Sequence, residues 1–239
     1  MKNAICFLLL SLFLNACSGQ DDYAPSYQQP LPGQPESYDY HYLALGDSYT
    51  IGQNVCDTCR FPAQLAQRLE VGLGVAIRTD IIAQTGWTTT NLISNIGTQN
   101  PSADCDLVTL LIGVNNQYQH KPFALYQQEF PELVDTAIAL AKGEKSRVIV
   151  VSIPDYAYTP FGQGSSNPET ISAEIDQYNA FAQNYCAAQN IVFVNITDIT
   201  RNGLENPALV ASDGLHPSTL AYAQFVERIF PKAIVALGQ

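Results

Sequence analysis

Unbroken apolar runs alternate along this chain with stretches in which apolar residues recur every three or four positions. Tyr42–Leu45, Ala76–Ala83, Leu107–Ile112 ("LVTLLI"), Arg147–Ile153 ("RVIVVSI") and Ile191–Ile196 are short, β-branched or apolar, and closed by Gly, Gln-Thr-Gly, Pro or polar residues. Such runs predict strands covered on both faces. Between them, Phe61–Glu70, Thr89–Ile96, Phe123–Lys142, Pro168–Gln189 and Pro217–Leu237 carry the helical spacing. Thr88 or Thr89 is placed to cap the second of these helices. Pro131 is expected to break or kink the third, and Pro231 to interrupt the last. Five strands alternating with helices imply an α/β fold, a three-layer α/β/α sandwich on a roughly five-stranded parallel sheet. In such sheets chemistry sits beyond the carboxyl ends of the strands, near a topological switch point.

The amino-terminal stretch follows neither period. "MKNAICFLLLSLFLNACSGQ" has a basic start, an apolar run and small residues, the pattern of a secretory leader over residues 1–16. Leu14-Asn15-Ala16-Cys17 resembles a bacterial lipobox, so Cys17 is expected to be lipidated and to anchor the chain to a membrane, with Ser18 favouring the outer membrane of a Gram-negative envelope. Residues 17–39 hold four prolines and many Gln, Ser and Tyr, and read as a flexible tether. Residues 40–239 are then one domain.

Without Lys2, ten basic residues face 22 acidic ones, a net charge near −12. That disfavours nucleic acid and other polyanions as partners. Four cysteines fall in the domain: Cys56, Cys59, Cys105 and Cys186. In an exported chain an even number suggests disulfides. The short spacing favours Cys56–Cys59, which leaves Cys105–Cys186 as the second pair.

Four stretches follow the predicted strands: Gly46-Asp47-Ser48, Gly86, Gly113-Val114-Asn115-Asn116, and, near the end, Asp213-Gly214-Leu215-His216-Pro217. In this order they resemble the SGNH, or GDSL, hydrolase family over nearly the whole domain. The resemblance implies a flavodoxin-like fold and a serine ester hydrolase without metal or cofactor. It assigns Ser48 as nucleophile, His216 as base and Asp213 as the acid that orients it, with the Ser48 N–H, the Gly86 N–H and the Asn115 amide as oxyanion donors. The residues support this independently. A serine hydroxyl needs a base, and of the three histidines His216 alone has a carboxylate three residues before it, a spacing that shares a face in a helical turn. Pro217 suits the first position of a helix. Glycine at 86 admits a substrate to the main chain, and Asn115 supplies a donor that does not titrate.

Two features depart from expectation. The family's third stretch reads Gly-x-Asn-Asp where this chain has Asn116, and no Gly-x-Ser-x-Gly elbow occurs, which disfavours a lipase-type α/β-hydrolase. Asp47 reads as a turn or cap carboxylate, His41 as a surface residue and His120 as a solvated loop histidine. Trp87 fits a pocket wall or the core equally, and Tyr49 and Tyr118 flank the site. Asp104, Cys105 and Asp106 do not by themselves form a metal site. A thiol oxidoreductase using Cys56 and Cys59 and a non-catalytic binding lipoprotein are the rival functions. The ester partner is lipid, lysophospholipid or acetylated carbohydrate.

Overall fold

The computed structural model describes residues 37–238; the leader, Cys17 and most of the tether lie outside the described residues. Five parallel strands, β1 (Tyr40–Gly46), β2 (Ile77–Ala83), β3 (Leu107–Leu111), β4 (Val148–Val151) and β5 (Val192–Val194), form one sheet in the order β2-β1-β3-β4-β5. The burial of each strand explains its sequence. β3 and β4 are buried throughout and β1 from His41 onward, so they read as continuous apolar runs. The edge strand β2 begins with buried and half-buried residues in alternation, and β5 is mostly half-buried. Each aliphatic side chain fully buried in the centre contributes about 2 kcal/mol before chain entropy is counted.

Helices cover both faces. α2 (Phe61–Leu73) packs on α9 (Thr219–Ala236), which reaches β4 and β5; α3 (Thr89–Gln99) packs on α5 (Phe123–Leu140), and α5 on α7 (Pro168–Gln189). An aromatic contact joins the last pair, with the Tyr126 and Tyr178 rings 4.6 Å apart and tilted by 42°. β1 leads through α2 to one side of itself, and β2 leads through α3 back across to β3. Right-handed crossovers therefore put α2 and α3 on opposite faces, and the chain reverses direction between β1 and β3.

Several expectations need correction. α5 and α9 run through Pro131 and Pro231 without interruption. The carbonyls that lose an N–H partner belong to Gln127 and Glu227, both on the exposed faces of their helices. α2 runs three residues beyond Glu70 to Leu73. Thr88 caps α3 as expected, in a reciprocal arrangement with Asn91. Pro217 does not open the last helix: it pairs with Val210 in an isolated antiparallel bridge, and Ser218 is the cap. His41 is not a surface residue but is 2% exposed, its ring held between Asp80 and Asp104. Cys56 and Cys59 are bonded, whereas Cys105 and Cys186 are both free and buried. Each has its own surroundings: the Cys105 sulfur faces His41 and the Ser102 carbonyl, while Cys186 lies on the inner side of α7, where burial pushes its thiol up to about 12.

Candidate active site

Ser48 opens α1 (Ser48–Ile51), the short helix that leaves β1 at the reversal point of the sheet. The turn needs Gly46. A Cβ there would stand 2.1 Å from Thr50 Oγ1 and 2.5 Å from the Leu111 carbonyl, so any side chain would push α1 off the end of β3. Asp47 is fully buried and caps α1, its Oδ1 accepting from the Tyr49 N–H at 3.0 Å. Its other oxygen accepts from Asn115 Nδ2 at 3.5 Å.

The second half of the site is a tight turn rather than the helical turn expected. Asp213 Oδ1 accepts from the Leu215 and His216 N–H groups, each at 3.0 Å, and Oδ2 meets His216 Nδ1 at 2.6 Å. The turn is held from outside by Ala211 N–H to His216 O at 2.7 Å and Phe161 N–H to Gly214 O at 2.9 Å. Burial alone would raise the Asp213 carboxyl, but the hydrogen bonds from His216 and from the two backbone N–H groups outweigh it and hold it below its ordinary value.

The two halves meet through Tyr49, whose buried ring lies 5.1 Å from the His216 imidazole, and through Asn54 Nδ2, 3.4 Å from Ser212 Oγ. No hydrogen bond joins the Ser48 hydroxyl to His216 among the described residues. Such contacts often tighten only when substrate is present.

The expected donors lie on neighbouring loops, which Asn115 links by reaching both Asp47 and the Trp87 carbonyl. Gly86 has φ +83°, which favours glycine, and open space where a Cβ would point. Its carbonyl accepts from Gln119 Nε2 at 2.8 Å, which fixes the plane of the following peptide. Asn115 lies in α4 (Val114–Tyr118), directly after β3, and gives one amide hydrogen to the Trp87 carbonyl at 3.0 Å. The other is held only loosely by Asp47. Trp87 itself is buried in the core.

Asn116 has a structural reason. Its Oδ1 accepts from Thr89 N–H at 3.0 Å, and its Nδ2 donates to Thr89 Oγ1 at 2.6 Å. Thr89 in turn donates to Glu129 at 2.5 Å, and Thr90 adds a bond to the same carboxylate. A carboxylate at 116 would compete with Glu129 for one hydroxyl proton, so the amide suits a loop that already holds a buried acid. Glu129 was missed by the sequence reading, although it stands beside Tyr126, Phe130 and Leu133 on the buried face of α5. The Cys56–Cys59 bond sits in the loop between α1 and α2. Arg60 ties this loop to the end of α1 by donating to the Ile51 and Asp57 carbonyls at 3.1 and 2.9 Å.

Burial raises the Asp47 pKa to about 7 against its hydrogen bonds from Tyr49 and Asn115. An acid that holds its proton more tightly when folded stabilises the fold below its unfolded pKa of about 3.9 and loses that contribution as pH rises. Asp47→Asn is expected to flatten the decline in melting temperature between about pH 4 and about pH 7. Thermal melts across that range check it, and an unaltered slope would contradict it.

A family model for GDSL-like lipases and acylhydrolases matches residues 44–224. A search of curated proteins found no relative. Among solved structures, the lipase Lip_vut3 from a goat rumen metagenome superposes with a TM-score of 0.65 at 15% identity, covering 81% of this chain and 97% of that one. A member of the lipolytic G-D-S-L family from Veillonella parvula DSM 2008 gives 0.61 at 17% identity, over 80% and 96%. The acetylxylan esterase Axe2 from Geobacillus stearothermophilus gives 0.57 at 18%, over 82% and 94%. At these identities the likeness establishes the shared fold, while the family model reaches from β1 into α9. The chain belongs to the GDSL-like lipase/acylhydrolase family and is a carboxylic ester hydrolase.

Proposed function

We propose that this hydrolase works through an acyl-enzyme on Ser48, with short-chain carboxylic esters as substrates. The observation that carries the proposal is the 2.6 Å Asp213–His216 pair, set against the tyrosine that follows Ser48. Asp213 accepts the Nδ1 proton and so leaves the Nε2 lone pair to act as base. As Ser48 Oγ bonds to the ester carbonyl carbon, its proton passes to His216. The oxyanion is met by the Ser48 and Gly86 N–H groups and the loosely held hydrogen of Asn115. Collapse breaks the bond to the alcohol oxygen, which takes the proton from His216. Water then releases the acyl group by the reverse proton path.

The acyl preference rests on size. Behind His216, on a side that Ser48, Gly86 and Asn115 do not line, Tyr49, Tyr156, Leu209 and Leu215 close around a cavity of about 10 Å³, room for a water, so no channel for a long acyl chain opens there. Tyr118 and Phe161, whose ring centroids lie 6.1 Å apart, are half-exposed and offer a shallow apolar ledge to the rest of the substrate. Turnover of p-nitrophenyl esters is therefore expected to fall at least tenfold from acetyl to octanoyl. A rise with chain length toward palmitoyl would overturn the size argument.

The same proposal places the enzyme at a bacterial envelope through lipidated Cys17, with residues 17–39 as its tether. Among the described residues no helix is long and apolar enough to cross a membrane. Cys17→Ser is expected to move the protein from the membrane to the soluble fraction, and a variant that stays with the membrane contradicts the anchor.

A further inference from the structure

A second cluster of reactive side chains lies at the amino end of the sheet. His41 is at the start of β1, about 16 Å along the strand from Gly46 at 3.3 Å per residue. Its Nε2 meets Asp80 Oδ2 at 2.9 Å, and Asp80 is itself paired with Arg78 at 2.8 Å. Its Nδ1 faces Asp104 Oδ1 at 2.9 Å and Cys105 Sγ at 3.7 Å. Nδ1, the Asp104 oxygen and the sulfur all lie within 4.8 Å of one another. Asp106, by contrast, is occupied by Lys142, Arg147 and the His41 N–H. Neither the ester chemistry nor a disulfide uses these groups.

We propose that His41 Nδ1, Cys105 Sγ and the Asp104 carboxylate form a binding site for a zinc-type divalent cation. The donor set of one imidazole, one thiolate and one carboxylate is the kind zinc takes. Tetrahedral zinc, with bonds of about 2.3 Å to sulfur and 2.0 Å to nitrogen, separates these two atoms by about 3.5 Å. The observed 3.7 Å already matches. Nitrogen and carboxylate oxygen would need about 3.3 Å, so Asp104 must withdraw by a few tenths of an ångström, and its side chain is 55% exposed. Asp80 on Nε2 does what a carboxylate behind a ligating histidine does: it fixes the ring and turns the other nitrogen toward the metal. A groove of about 210 Å³, lined by His41, Arg78, Asp80 and Ser102 among others, runs beside the cluster, and the exposed Asp104 side chain opens it to solvent. Binding displaces the Nδ1 and Sγ protons and leaves the fourth position to water or the Ser102 hydroxyl, which donates to Asp104 at 2.7 Å. The metal would tie β1 to the segment leading into β3.

The test uses the full chain, stripped with chelator without reductant so that Cys56–Cys59 stays closed, and titrated with Co²⁺ as a spectroscopic probe and then with Zn²⁺. One Co²⁺ per chain with a sulfur-to-cobalt charge-transfer band is expected, displaced by Zn²⁺. The band should vanish in Cys105→Ser and persist in Cys186→Ser. Asp104→Asn, at an exposed position, should fold normally by circular dichroism and weaken Co²⁺ binding at least tenfold. No band in the wild-type chain, a band that survives Cys105→Ser, or full affinity in Asp104→Asn would each overturn the proposal.

Discussion

Ser48→Ala is expected to lower kcat for p-nitrophenyl acetate by about 10⁶-fold, to the level left by binding and oxyanion contacts alone. The substitution removes one atom at a position where the architecture depends on the neighbours. Gly46 makes the turn, Asp47 caps α1, and the Ser48 hydroxyl bonds to no protein group among the described residues. The melting temperature should therefore stay within about 2 °C of the parent. A variant that keeps its turnover would remove Ser48 from the chemistry. A variant that unfolds would show that residue 48 holds the turn rather than the reaction.

Asp213→Asn should cost about 10⁴ in kcat with little change in KM. The remaining oxygen can still accept from the Leu215 and His216 N–H groups, so the turn survives. What changes is the atom facing Nδ1. An amide hydrogen there demands a lone pair on Nδ1, which puts the ring proton on Nε2 and presents Ser48 with a donor in place of a base. Stability should shift in a predictable sense as well. The Asp213 carboxyl is held below its ordinary value, so its contribution is present above the unfolded pKa of about 3.9 and lost as pH falls through the folded value. Asp213→Asn should therefore melt with less sensitivity to acid below about pH 4. Kinetics and thermal melts on one preparation separate the two effects. An unchanged kcat would show that His216 does not depend on its partner.

What the sequence made legible depended on range. The central strands could be read because burial on both faces leaves an unbroken apolar run, and β1, β3 and β4 are such strands. Asp213 and His216 could be paired because three residues bound how far apart they lie. The Ser48 turn could be placed because strand ends are where α/β sheets put chemistry. Less visible were features set by contacts between distant segments. α1 and α4, four and five residues long, are too short to show a helical period, and local caps and turns define them. His41 looks exposed in sequence, but Asp80 and Asp104 arrive from 39 and 63 residues away to bury it. Counting cysteines paired Cys105 with Cys186, yet parity carries no geometry, and the two sulfurs face different surroundings. Pro131 and Pro231 misled because the carbonyls they abandon belong to Gln127 and Glu227 on the exposed faces of their helices, which the proline by itself does not reveal.

The central claim is that one serine becomes nucleophilic because a histidine–aspartate pair takes its proton. A fluorophosphonate probe tests it directly, since only an activated hydroxyl displaces fluoride to form a stable phosphonyl ester. After complete inactivation, peptide mass spectrometry should locate one adduct per chain on Ser48, and His216→Ala should label at least a thousandfold more slowly. Inactivation with the adduct on any other residue, or equal labelling of Ser48 without His216, would contradict the account.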